Sequence, residues 1–274
     1  MKPGTLVAAG RTSDVYEFGP QAVVKVPRPE VPQVWAEIEA DLTDAVHAFG
    51  LPAPAVLEVV TIEGRSCVVL ERIHGVTMWN RMLEQPAEAA SLTAELVAVQ
   101  RSIHAAGLPD RIPDLVGRLS LKLAECDELP EAERTEAQEL AELLPRGAAL
   151  LHGDLHPGNV LLGPDGPVAI DWFDASIGHP LADVVRTSLL IRPGFPPADQ
   201  RHLPGAEQPM LRAIHRAYVE HWGDLLSSTA DDLRRWEAVV AAARVSERAH
   251  HDVAPLLSIW RDRSKPQPAA LLEV

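Results

Sequence analysis

The stretch that leaves this chain the fewest choices runs from His152 to Trp172. It reads His-Gly-Asp-Leu-His-Pro-Gly-Asn, then Val160-Leu161-Leu162, a Gly-Pro-Asp-Gly turn, and a second apolar run ending on Ile170-Asp171-Trp172. Two short apolar runs joined by a turn of that composition predict a β-hairpin. Leu150-Leu151 leads in, and the hairpin presents Asp154, then Asn159 five residues later, then Asp171 twelve residues beyond that, to one place. Two carboxylates and an amide converging at strand ends suit a hard cation such as Mg²⁺ bound together with phosphates. The stretch reads as a phosphoryl-transfer centre, against which the remaining chain can be set. His152 and His156 fit no paired-histidine zinc pattern on a helix, which Pro157 and Gly158 break.

The rest of the chain is compatible with such a centre. Its 274 residues are enough for one large domain or two lobes, and 46% hydrophobic with 23% charged residues are ordinary globular values. Lys plus Arg number 25 against 39 Asp plus Glu, a formal net charge of −14, which argues against a nucleic-acid backbone as partner. An acidic surface would concentrate cationic small molecules, although solubility accounts for the charge equally well. Cys67 and Cys126 are far apart and read as two buried thiols, not as a disulfide framework or zinc site. No signal-peptide layout and no apolar run of membrane-spanning length is present, so a soluble, cytoplasmic protein is expected. Oligomeric state is not legible.

Residues 1–75 read as strands with one helix. Apolar runs at 5–9 and 15–18 flank the turn-rich Gly10-Arg11-Thr12-Ser13-Asp14, and Gly19-Pro20 leads into Ala22-Val23-Val24-Lys25-Val26. A lysine inside such a strand is either an outward-facing edge residue or a functional group. Trp35, Ile38, Leu42, Val46 and Phe49 then recur at helical spacing, closed by Gly50. At 100° per residue Glu39 lies roughly 60° from the centre of that stripe and Glu37 roughly 140° away. Glu39 therefore borders the buried face and is the candidate partner of Lys25, with Glu37 as the alternative. Residues 56–62 and 66–70 form a further hairpin, and near residues 71–75 the pattern turns helical.

Mostly β followed by mostly α predicts two lobes, 1–75 and 76–274, with a ligand crevice between them. Helices are expected near 78–84, 87–106, 111–127 and 131–144, another beginning at Gly178, and three more near 210–223, 230–250 and 252–261. A loop rich in Pro and Gly covers 192–209, His250-His251 reads as a helix end, and the tail beyond Lys265 as loosely held. The glutamates between 125 and 142 predict a solvated helix face, with a polycation-docking surface as the alternative.

Phosphoryl transfer requires clamped phosphates, a neutralising metal, and an acceptor hydroxyl held in line. Lys25 on the third strand, Glu39 on the next helix, a β-to-α crossover, Asp154 with Asn159, and Asp171 after a hairpin resemble the protein-kinase-like fold. His-Gly-Asp-x-His-x-x-Asn, then Ile-Asp-Trp, then Gly-x-Pro-x-x-Asp-Val is similar to the aminoglycoside phosphotransferase family of small-molecule kinases. Protein kinases would show His-Arg-Asp, Asp-Phe-Gly and Ala-Pro-Glu, and none of these occurs. The resemblance spans about residues 5–250 and is most specific in 152–183.

The resemblance implies an α+β, two-lobed fold: a small antiparallel-sheet N-lobe with one helix, and a larger, mainly helical C-lobe carrying the catalytic hairpin. It implies transfer of the γ-phosphate of ATP or GTP to a small-molecule hydroxyl. By that likeness Asp154 accepts the proton from, or orients, the substrate hydroxyl, and Asn159 and Asp171 hold Mg²⁺ against the nucleotide phosphates. Lys25, held by Glu39, contacts the α/β-phosphates. The loop with Gly10 and Ser13 covers the phosphates, Glu71–Ile73 receives the base through backbone groups, and Asp183 braces the catalytic loop. An aminoglycoside or other cationic antibiotic is one acceptor class; choline-like, homoserine-like and sugar-like metabolites are the others. Two readings from other classes are a pseudokinase module that binds nucleotide without turnover, and a protein kinase proper. Asp14 is an unexpected neighbour for phosphate, and the loop keeps only Gly10 before Ser13 and Gly19 beyond. Trp172 and Phe173 read as core packing, and Asp174 as a further group near the site.

Overall fold

In the computed structural model, which describes residues 3–192, 208–228, 230–247 and 253–264, the N-terminal apolar runs pair into one antiparallel sheet. Its strands are β1 (Leu6–Ala9), β2 (Ser13–Glu17), β3 (Ala22–Pro27), β4 (Val56–Ile62) and β5 (Arg65–Glu71), in the order β1-β2-β3-β5-β4. Lys25 stands opposite Val15 of β2 and Val68 of β5, so it sits on a central strand and not on an edge. The tight β4–β5 turn is Glu63-Gly64, both at positive φ (50° and 80°), the twist a two-residue hairpin loop needs.

Helix α1 (Val34–Ala48) lies across this sheet. Ala36 and Ala40 pack on Val68 of β5, and small side chains there allow close approach. Leu42, Ala45 and Val46 face the main core of the helical lobe instead. The helix thus joins the two cores, and Trp35 rests on Phe173 with ring centroids 4.8 Å apart.

The larger lobe begins with β6 (Val76–Thr77), α2 (Met78–Glu84), α3 (Ala89–Ala105), α4 (Leu115–Ala124), α5 (Glu131–Leu143) and β7 (Ala149–Leu151). The hairpin β8 (Val160–Gly163) and β9 (Gly166–Ala169) follows, with β6 added to its edge, and β10 (Ser176–Gly178) pairs back with β7. Helices α6 (Pro180–Ile191), α7 (Gln208–His221), α8 (Gly223–Ser228), α9 (Ala230–Val245) and α10 (Val253–Arg261) complete it. Trp172, Trp236, Trp260 and Tyr218 are fully buried in its core. The whole is an α+β, two-lobed, protein-kinase-like fold: a small antiparallel-sheet lobe with one helix and a larger helical lobe.

Three expectations shift. The helix expected over 111–127 is α4 only, because Arg111 takes a positive φ of 69°, Pro113 lacks a donor, and Asp114 is an N-cap accepting from Gly117 N at 3.0 Å. The helix expected at Gly178 starts at Pro180, capped by His179 Nδ1 accepting from Leu181 N, and Gly178 belongs to β10. The short helix α8 was not anticipated. The loop over 192–209 lies mostly outside the described residues, as do His250-His251 and the tail. Within the acidic run, Glu133 accepts from Trp260 Nε1 and Arg261, and Glu136 pairs with Arg263, so part of that face docks the α10 end of this chain. Cys67 and Cys126 are both free and buried. No helix among the described residues is long and apolar enough to cross a membrane.

Candidate active site

The loop after β7 is held from three sides. Gly153 takes φ +78°, and a Cβ there would meet the Asp174 carbonyl at 2.2 Å, so both the conformation and the contact require glycine. Its N–H donates to Asp183 Oδ1 at 2.8 Å. The other oxygen of Asp183 faces His104 Nε2 at 2.8 Å and accepts from Gln100 at 3.0 Å. Burial opposes the Asp183 charge, yet the bond and charge of His104 together with the Gln100 bond outweigh it and keep its pKa below the ordinary value. His152 Nε2 lies 3.1 Å from the Ile170 carbonyl, and His156 Nδ1 accepts from Gly158 N at 3.1 Å. Both histidines therefore shape the loop.

At the hairpin mouth, Ile170 N donates to the Asn159 carbonyl at 2.9 Å, which sets Asn159 beside Asp171. The Asn159 amide donates to the Asp154 carbonyl at 2.9 Å and to Asp154 Oδ2 at 3.3 Å. With its nitrogen so engaged, the Asn159 side-chain oxygen is turned to the other side. Asp171 adopts the left-handed region, φ 65° and ψ 66°. Strain of that kind at a non-glycine residue re-aims the carboxylate at a functional position.

From the sheet, Lys25 Nζ lies 2.5 Å from Glu39 Oε1 and 3.1 Å from Asp171 Oδ1. Burial disfavours the ammonium, but Asp171 and Glu39 more than compensate and raise its pKa. The same burial raises the pKa of Glu39, with Lys25 opposing it. Glu37 is exposed on the far side of α1, so the glutamate that meets Lys25 is Glu39. An amide oxygen and a carboxylate are hard donors that fill part of an octahedron. They fit Mg²⁺, which keeps waters and takes phosphate oxygens for the remainder. No group of three or more His, Cys, Asp or Glu able to hold a metal alone exists among the described residues.

A second charged cluster ties Asp154 and Asp174 to Arg118, Lys122, Arg186 and Glu247, which the sequence does not single out. Arg186 of α6 places Nη2 2.7 Å from Asp154 Oδ1 and Nε 3.1 Å from the Gly153 carbonyl. Its Nη2 also lies 2.9 Å from Glu247, just past α9. Lys122 of α4 bridges Glu247 at 3.0 Å and Asp174 at 2.9 Å, and Arg118 reaches Asp174 at 3.0 Å. Burial works against the Asp154 carboxylate, but the Arg186 guanidinium, helped by His156, overcomes it and holds the pKa at about 2. Glu247 is likewise held below its usual range by Arg186 and Lys122 against the effect of burial. Arg186 follows Asp183 by one helical turn, the spacing that puts both on one face. That was the available signal.

The loop before β2 is less direct. Gly10 N donates to the Ser13 carbonyl at 2.9 Å, closing a tight turn, and Ser13 is buried at the start of β2. Asp14 is not left facing phosphate, since Arg28 Nη2 binds it at 2.9 Å. The Arg11 guanidinium crosses to the Glu247 backbone carbonyl. Glu71 ends β5 with its N–H on the Ala55 carbonyl, and Arg72 N donates to Gln21 O, each at 2.9 Å. Ile73 is half-buried beside Gly163.

The fold recurs among solved structures. Aminoglycoside phosphotransferase APH(4)-Ia, in a ternary complex with AMP-PNP and hygromycin B, aligns with a TM-score of 0.65 at 16% identity, covering 96% of this chain and 94% of that one. An aminoglycoside-3'-phosphotransferase of type VIII aligns at 0.55 and 23% identity over 89% and 90%. APH(3'')-Id from Streptomyces rimosus aligns at 0.52 and 18% identity over 86% and 91%. No curated protein sequence matches the chain. A model of the phosphotransferase enzyme family, APH, matches residues 4–219, which contain all of the residues above except Glu247 and the helices beyond α7. With most of its length inside that match, the chain belongs to the aminoglycoside phosphotransferase family and is a small-molecule phosphotransferase.

Proposed function

We propose that this chain transfers the γ-phosphate of ATP or GTP to a hydroxyl of a small molecule, with Asp154 receiving the hydroxyl proton. The observation that carries the reading is the join between two charged groups of side chains. Lys25, Glu39 and Asp171 meet at the sheet side, and Asn159, adjacent to Asp171, is bonded directly to Asp154. In this reading residues 1–75 form the nucleotide-binding lobe, with a hinge at 71–75, and residues 76–274 carry catalysis and the acceptor.

Asn159 and Asp171 would hold Mg²⁺ against the nucleotide phosphates. The bound ion supplies neutralising charge. Lys25, aimed by Glu39, would take the α/β-phosphates in place of part of its contact with Asp171. The turn from Gly10 to Ser13 would cover the phosphates with backbone N–H groups, Ser13 acting through its main chain because its side chain is buried. Since the N–H groups of Glu71 and Arg72 are engaged, the base would meet the Glu71 carbonyl and the Ile73 main chain. Asp154, with a pKa near 2, is ionised at neutral pH. It would therefore accept the acceptor hydroxyl's hydrogen bond from the outset and its proton as the new O–P bond forms. The nucleotide it needs places the reaction in the cytoplasm. Aminoglycoside-like cationic antibiotics, amino-alcohols, homoserine-like compounds and sugars are the acceptor classes to separate.

The test is nucleotide affinity with and without Mg²⁺ for wild type and Asp171→Ala, using ATP and GTP. Wild type should bind roughly tenfold or more tightly with the metal, and the variant should lose that gain. A gain undiminished in the variant would contradict the metal role of Asp171.

A further inference from the structure

Asp171 stands in the left-handed region, φ 65° and ψ 66°, and leads directly into a 3₁₀ turn over Trp172–Asp174. An aspartate keeps such a conformation only where the chain on both sides over-determines it. Upstream, Ile170 N donates to the Asn159 carbonyl at 2.9 Å. Trp172 is fully buried, and its indole N–H donates to the Ala169 carbonyl at 2.9 Å. These bonds hold the hairpin side of Asp171. The far side of the turn is held from α4. Arg118 Nη2 donates to the Phe173 carbonyl at 2.6 Å and to Asp174 Oδ1 at 3.0 Å. One nitrogen therefore pins the main chain two residues past Asp171 and the side chain that follows. The guanidinium carbon also lies 5.6 Å from the centre of the Phe173 ring, which has Trp35 of α1 at 4.8 Å.

Lys122, one helical turn after Arg118, reaches the same Asp174 Oδ1 at 2.9 Å. Its second bond runs to Glu247 at 3.0 Å, towards Asp154, whereas both bonds of Arg118 named above end on the turn. An ion pair alone would leave the main chain free to rotate. The charge-assisted bond to the Phe173 carbonyl removes that freedom. The need for such a clamp grows when nucleotide binds. In the free chain Asp171 Oδ1 has Lys25 Nζ 3.1 Å away. As Lys25 turns towards the phosphates that partner is partly withdrawn, and the place of the carboxylate then rests on the backbone that carries it.

Resting on the phosphotransferase reading above, we infer that Arg118 is a positioning residue for Asp171. It fixes that left-handed residue through the turn that follows, without touching metal or nucleotide. In doing so it sets how much a bound Mg²⁺ strengthens nucleotide binding. Phe173 and Asp174 are the parts through which α4 acts on the metal side. The effect is positional, and Arg118 takes part in no proton or group transfer.

Calorimetric titration with ATP and with GTP, each with and without Mg²⁺, tests this by binding alone. The gain is the ratio of the affinity with metal to the affinity without it. Arg118→Met should cut the wild-type gain about fivefold or more while metal-free affinity stays within about twofold. Arg118→Lys, whose ammonium can take the same two acceptors, should recover at least part of it. A loss of fold reads differently, because unfolded chains lower the number of sites titrated and not the affinity of the folded remainder. If Arg118→Met does not fold, Asp174→Asn carries the test: it keeps the Phe173 bond and weakens the other, so the gain should fall about threefold. A wild-type gain in Arg118→Met, or in Asp174→Asn where the first variant does not fold, overturns the inference and leaves the phosphotransferase reading standing. So does an equal loss with and without metal, which would place Arg118 on the nucleotide itself. A wild-type chain with no metal gain at all overturns the metal role of Asp171, and the inference with it.

Discussion

Arg186 Nη2 and Asp154 Oδ1 are 2.7 Å apart, and the same guanidinium holds the Gly153 carbonyl through Nε at 3.1 Å. One side chain on α6 thus fixes both the carboxylate at the centre of the site and the glycine that precedes it. The opposite oxygen of Asp154 is tied to Asn159, so the carboxylate is oriented from both ends.

Replacing Arg186 separates orientation from nucleotide binding. Arg186→Met should lower kcat roughly 10- to 100-fold while Mg²⁺–nucleotide affinity stays within about twofold, because among the described residues Arg186 bonds to Asp154, Gly153 and Glu247 and to none of the nucleotide side. It should also destabilise the fold by about 3–5 kcal/mol, since Glu247 and Asp154 lose a common buried partner. Steady-state kinetics beside chemical denaturation check both. Unchanged kcat would show that Asp154 is placed without Arg186.

The 2.5 Å contact of Lys25 with Glu39 should appear as energetic coupling. A double-mutant cycle with Lys25→Met and Glu39→Gln, read as nucleotide affinity, should give about 1–3 kcal/mol of interaction. Additive losses would remove Glu39 from the site.

His215 gives a pH signature remote from the reaction. It is buried on Ser188, 2.8 Å from the hydroxyl, and burial together with Arg192 lowers its pKa to about 4. The unfolded chain takes up that proton near pH 6.5, so the unfolded state binds more protons between the two values. The stability that the neutral ring contributes is full above about pH 6.5 and is lost as the pH falls towards 4. Its span is about 3 kcal/mol. In denaturation at pH 7 and pH 4, His215→Gln should lose less stability on acidification than wild type, by about 2–3 kcal/mol. Equal losses would contradict a neutral buried ring.

What the sequence made legible was local. Asp154, Asn159 and Asp171 lie within one hairpin; the stripe angle on α1 favoured Glu39 but left Glu37 open until the Lys25 contact placed Glu39. Lys25 became readable only in the company of Glu39, because a lone lysine in a strand has an edge explanation that only the sheet order removes. Glu247 had no local signal: it reaches Arg186 across 61 residues, through packing of α9 on α6. The helix expected at 111–127 failed where local turn chemistry at Arg111, Pro113 and Asp114 overrode a run of apolar spacing.

The central claim is that Asp154 serves the transfer step and not nucleotide binding. The direct measurement compares Mg²⁺–nucleotide affinity with acceptor-dependent phosphate transfer in wild type and Asp154→Ala. Affinity should stay within about twofold while transfer falls by roughly a thousandfold or more. Transfer at the wild-type rate in Asp154→Ala would contradict the account.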